Sequence, residues 1–148
     1  MRYLVISLLM LMTSLFAHAE NILMTRSYQS YDVVLQAAKA SLESHGYTIA
    51  HEQRCDSGLV HSGYQTDYYR VIFFGKPDEV RYLSKTYPEL IPYLPLKLAV
   101  FAEDDQMLAV SFNPEAYGRF FIQEELKIQF ARWKADLDSV MADLREIQ

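Results

Sequence analysis

The sequence runs to 148 residues with a formal net charge of −5, 51% hydrophobic residues, 14% aromatic residues and a single cysteine. Its basic residues are scattered, so it lacks the positive face that nucleic acid demands, and attraction to an anionic membrane surface is weakened for the same reason. One thiol cannot close an internal disulfide, which excludes a disulfide scaffold.

Met1 and Arg2 make a short positive start, Tyr3 to Phe16 is mostly Leu, Met, Val and Ile, and Ala17-His18-Ala19 follows. That order reads as a secretory signal peptide over residues 1–19, cut so that the mature chain begins at Glu20. The competing reading is an uncleaved anchor, but the apolar run falls short of the ~20 residues a span needs and is broken by Ser7, Thr13 and Ser14. Without a cysteine near the cut, a lipid-modified N-terminus is excluded. No later segment is apolar enough to span a bilayer. Cleavage leaves a net charge of about −6 and, over residues 22–148, a single domain with room for one core.

Ile22 to Tyr28 is strand-like. Ser30 stands at an N-cap position with Asp32 in the first turn, Val34, Leu35, Ala38 and Leu42 share a helical face, and Gly46 supplies a left-handed stop. The pattern predicts a helix over 31–45. Tyr47 to Glu52 reads as a strand, Gln53 to Ser57 as a turn, and Gly58 to Tyr64 as a returning strand. Tyr68 to Phe74 is β-branched and aromatic, apolar on both faces except at Arg70, as in a central strand.

Pro77 with Asp78 and Glu79 starts a second helix, which Pro88 ends. Pro88, Pro92 and Pro95 make Tyr87 to Pro95 a stiff extended connector. Leu96–Ala102 and Met107–Phe112 flank a charged turn and predict a hairpin. Gly118 precedes a long amphipathic helix in which Leu126, Phe130, Trp133, Leu137, Val140, Leu144 and Ile147 alternate steps of four and three. A coiled coil would want complementary flanking charges. The flanking pairs Gln129 with Lys134, Asp136 with Met141 and Asp143 with Gln148 are not ion pairs, which favours packing on the parent sheet with Trp133 as anchor.

The layout resembles the DUF302 family of small domains of unknown function, whose fold is named TT1751-like. The resemblance runs through Tyr31-Asp32-Val33-Val34, His45-Gly46-Tyr47, the strand into Gly75-Lys76-Pro77, Leu94-Pro95 with Phe101-Ala102-Glu103, and Asn113-Pro114-Glu115, over roughly residues 22 to 148. It implies an α+β fold, a single mixed β-sheet packed against helices, a bacterial source and a possible homodimer, and it supplies no activity. Many relatives carry Cys directly after the residue matching Pro95. This chain has Leu96 there, so thiol, metal or haem chemistry at that position does not carry over.

No Gly-rich phosphate loop, zinc-binding His pair or serine elbow is present, and no cofactor is expected. His51, Cys55 and His61 form the best metal candidate, as soft donors across two antiparallel strands with the thiol at the tip. The spacing matches no established site, and surface histidines with a packed thiol explain the same letters. Cys55 alone reads as a redox thiol or as a small buried hydrophobe, the latter favoured. Glu103-Asp104-Asp105 lacks the pattern of a calcium loop and reads as a solvated turn. Arg70, flanked by Tyr68 and Ile72, reads either as an anchor for a carboxylate or phosphate ligand or as one half of an ion pair at the sheet margin.

These features favour a non-catalytic binding module for a small ligand or an envelope protein, exported to the periplasm of a Gram-negative cell. The alternatives are an enzyme of unknown reaction and a redox or metal-handling protein built on Cys55, His51 and His61. N-terminal sequencing of the exported form is expected to begin at Glu20; a secreted product retaining Met1 overturns the leader assignment.

Overall fold

The computed structural model describes residues 21–63 and 68–147; the leader expected over 1–19 and the start at Glu20 lie outside them. The elements in chain order are β1 (Ile22–Ser27), α1 (Tyr31–Ser44), β2 (Thr48–Arg54), α2 (Asp56–His61), β3 (Tyr69–Gly75) and α3 (Pro77–Thr86). A 3-10 segment (Pro88–Tyr93), β4 (Leu96–Glu103), β5 (Gln106–Phe112), a second 3-10 segment (Pro114–Arg119) and α4 (Glu124–Glu146) follow. The strands form one sheet in the order β1-β5-β4-β3-β2.

The fold is α+β with a long C-terminal helix. Its sheet is antiparallel at every pairing, where a mixed sheet was expected. The reason is that β2, β3, β4 and β5 lie beside one another in sequence order, and β1 closes on β5 running the opposite way. Residues 58–61, expected in a returning strand, belong to α2 instead. The proline-rich connector is largely 3-10, because the φ that proline fixes suits a 3-10 turn as well as an extended chain. Gly118 falls inside the second 3-10 segment, and α4 begins only at Glu124.

The caps largely follow the residues. Ser30 is the N-cap of α1, although its hydroxyl makes no cap bond and only its carbonyl accepts, from the Val34 N–H at 3.1 Å. Gly46 closes the helix at φ +79°, a conformation that would strain any residue with a Cβ. Gly75 meets a different demand. A Cβ there would lie 2.8 Å from Cγ2 of Val80, so its absence lets α3 dock at the end of β3.

Alternation decides where the core sits. Leu23 on β1, Ala109 on β5, Leu98 and Val100 on β4, and Ile72 and Phe74 on β3 all point to one face. The buried apolar residues of α1, α3 and α4 belong to the same cluster. Leu126, Phe130, Trp133, Leu137, Val140 and Leu144 are each at most 1% exposed, so the seam of α4 is spent on its own sheet and on α1.

Polar contacts fix the helices to one another. Trp133 Nε1 donates to Glu79 Oε1 at 2.7 Å, and Arg132 bridges Glu79 to Asp136, the latter at 3.2 Å. The Tyr47 hydroxyl donates to Asp136 Oδ2 at 2.7 Å while Lys76 Nζ lies 4.7 Å from its ring centroid. Burial, and then the bond to Asp136, push the Tyr47 pKa well above the usual tyrosine value.

Trp133→Ala is expected to destabilise the fold by about 3–5 kcal/mol, through a cavity and the lost hydrogen bond to Glu79. Urea unfolding measures it. A variant as stable as its parent would show that α4 is not a core element.

Candidate functional site

The inner sheet face ends, beside α1 and α2, in a charged cluster centred on Arg70. Its Nε donates to Glu52 Oε1 at 3.0 Å and its Nη1 to Asp56 Oδ1 at 3.1 Å. Glu52 also accepts from Lys39 Nζ at 2.9 Å, and Asp56 is approached by Arg54 at 3.4 Å. The ion-pair reading of Arg70 therefore holds, and its fork already grips two carboxylates. The Tyr68 ring stacks on that of Tyr31 at 4.5 Å between centroids and is largely exposed. The Tyr31 hydroxyl is buried without a hydrogen-bond partner.

These charges shift one another. The hydrogen bond from Lys39 is the main influence holding Glu52 below its ordinary value, against burial and with help from Arg70. Burial pushes Asp56 up, but bonds from Arg54 and the Ser57 backbone, with the charges of Arg54 and Arg70, bring it below the usual carboxylate range.

The three metal candidates are not gathered. His51 lies on β2 with its ring 5.9 Å from that of Phe73 and Nε2 3.3 Å from Gln53. Cys55 follows β2 and His61 ends α2, because 56–61 is helical and the strand that faces His51 is β3, at Phe73. Among the described residues, no group of three His, Cys, Asp or Glu is placed to hold a metal ion. Cys55 is only partly buried, which corrects its reading as a buried hydrophobe: its backbone N–H continues the ladder to Tyr69 O, so it sits at a sheet edge. Its thiol is pushed up by burial and by Asp56, with Arg70 opposing, which disfavours the reactive thiolate. Glu103 pairs with Arg26 at 2.7 Å across the sheet end.

The feature that single residues did not disclose is the outer face of the sheet. The register sets out three rows across it, beyond which the polar pair Gln106 and Glu103 lies at the hairpin end: Ile22, Phe112, Lys97, Phe73 and His51; then Met24, Val110, Ala99, Val71 and Gln53; then Arg26, Leu108, Phe101 and Tyr69. A solvated face of an antiparallel sheet normally carries polar residues at alternate positions. Here ten of the fourteen positions in these rows are apolar or tyrosine. None of these fourteen residues belongs to the inner core cluster, and Leu108 is buried yet stands outside it. Ile22, Met24 and Phe112 are 42–50% exposed. The clue in sequence was the failure of β4 and β5 to alternate, Leu-Lys-Leu-Ala-Val-Phe-Ala and Met-Leu-Ala-Val-Ser-Phe.

Two grooves lie among the described residues. A groove of about 290 Å³ lined by Thr48, Ala50, Gly75, Pro77, Val80 and Pro95 lies at one end of β2 and β3. Another, of about 350 Å³, is lined by Glu115, Gly118, Arg119, Lys127 and Phe130.

Comparison with known proteins gives a family and a fold. The family described as "Domain of unknown function DUF302" matches residues 23–144. A crystal structure of an uncharacterized conserved DUF302 protein from Bacillus stearothermophilus is similar, with a TM-score of 0.78 and 16% identity over 86% of this chain and 100% of that one. No curated protein matches the sequence.

The lowered carboxylates make the Arg70 cluster a source of stability above the ordinary values of 4.5 for Glu52 and 3.8 for Asp56. That stability is lost as pH falls from there through the lowered native values. Arg70→Gln is expected to reduce the urea midpoint at pH 7, with the deficit narrowing toward pH 3. A deficit constant across that range would mean that Arg70 acts through packing alone.

Proposed function

Since the chain belongs to the DUF302 family, a domain of unknown function, we propose its role from its own residues: it is an exported, non-catalytic binding module that works through the outer sheet face. The observation that carries this reading is the apolar grid on that face, set against a core that takes every buried apolar side chain the helices contribute. Exposed apolar patches of several hundred Å² mark interaction surfaces on soluble proteins. A broad sheet face suits a protein, whereas a small ligand is usually enclosed in a concave site with a few convergent polar groups. The partner is accordingly an envelope protein.

The groups that chemistry would use are otherwise engaged. Glu52 and Asp56 are held ionised by Lys39, Arg54 and Arg70, and the Cys55 thiol is pushed away from its reactive form. A general acid or base needs a pKa near the working pH, and these carboxylates are moved the other way. Placement in the periplasm rests on Arg2, the apolar run behind it and Ala17-His18-Ala19.

A photo-crosslinking amino acid at Val110, in the middle of the outer face, tests the proposal in cells making the chain with its own leader. The control position is Ile128 on α4, 65% exposed. Adducts of discrete mass are expected from Val110 and not from Ile128. Equal labelling from both, or none from Val110, overturns the assignment of the face.

A further inference from the structure

The partner of the outer face is identified by the face itself. We propose that it is a second copy of this chain, the two sheets stacked face to face about a two-fold axis that runs across the strands and sets each β4 antiparallel to its counterpart. This rests on the reading of the outer face as the working surface and adds its occupant and register.

The argument starts from β4, the central strand of five. Its outward residues are Lys97, Ala99, Phe101 and Glu103. Reversed against itself, that series is self-complementary. Lys97 meets the Glu103 of the other copy, and small Ala99 meets large Phe101. The same operation brings Val110 over Leu108 on β5 and Val71 over Tyr69 on β3, so the middle of the interface is apolar on both sides.

Sheets stacked with their strands aligned admit one other two-fold, parallel to the strands. It sets Lys97 against Lys97 and Glu103 against Glu103, and like charges directly apposed are strongly unfavourable. Charge therefore selects the first arrangement. Lys97 is suited to the part: it is exposed on the central strand at one end of the face and, among the described residues, makes no ion pair, its Nζ resting 5.9 Å from the Phe73 ring centroid. Glu103 is half exposed and already beside Arg26, and a carboxylate has lone pairs enough for both cations.

The area is adequate. Five strands about 4.8 Å apart give a face roughly 24 Å wide, and the outward positions span roughly 20–25 Å along the strands. That is about 500–600 Å² in plan. Two such faces, with side-chain relief, reach the ~1,200 Å² at which stable interfaces begin.

Sedimentation equilibrium and native mass spectrometry of the chain purified from its own envelope test the proposal. The wild type is expected to be a dimer. Ala99→Glu, which places a carboxylate at the centre of an outward face, is expected to give a monomer with an unchanged circular dichroism spectrum. Lys97→Glu and Glu103→Lys are each expected to weaken self-association by about tenfold or more, and the two single variants mixed are expected to form a heterodimer in preference to either homodimer. A monomeric wild type, an Ala99→Glu variant that still dimerises, or a mixture showing no preference overturns the inference. If the wild type is monomeric while Val110 still crosslinks to a protein of another mass, the working face stands and only its occupant is wrong. If Val110 yields no adduct at all, the reading of the face fails with it.

Discussion

The fold depends on one packing event, the docking of α4 across the inner sheet face and α1. Its six fully buried seam residues fill the space between them, and burial of that kind of side chain contributes ~1.5–3 kcal/mol each. The polar contacts around it set orientation. Glu79 receives the Trp133 indole and Asp136 the Tyr47 hydroxyl, so α3 and the exit of α1 are held at defined positions on α4. With its three long helices all committed to one side, the core cluster lies against one sheet face alone.

Much of this architecture was legible. Helix 31–45 could be read because its apolar period, Asp32 and Gly46 agree, and the charged turn of the β4–β5 hairpin is where it was expected, with Asp104 taking the positive φ. The seam of α4 was harder, because a heptad repeat and a helix lying on a sheet select nearly the same residues over three heptads. Burial against its own sheet settles which. The misreading of 58–61 has a local cause. Leu59 and Val60 form an apolar pair too short to set a period, while Asp56 in a first turn is a helical signal that a turn assignment concealed.

The site was less legible than the fold. Arg70 drew attention as a lone cation among apolar neighbours, but its partners come from elsewhere, Glu52 from the adjacent strand and Asp56 from α2. Nothing in the spacing of 52, 56 and 70 announces that meeting. His51 and His61 looked like cross-strand partners only under a hairpin that does not form. The outer face was hidden for a different reason. Each strand contributes two to four residues to it, and only the register across β1, β5, β4 and β3 adds them into one surface.

The strand order carries a consequence for assembly of the domain itself. Strands β2 to β5 pair with their nearest neighbours in sequence, whereas β1 matches Ile22 to Phe112 and Ser27 to Met107. Closing so long a loop carries an entropic cost that nearest-neighbour pairing avoids, and topologies with such distant contacts fold more slowly than local ones. The strand that comes first in sequence thus pairs with the strand that comes last. Until residues 107–112 are available β1 has no strand to pair with, and the sheet stays one strand short.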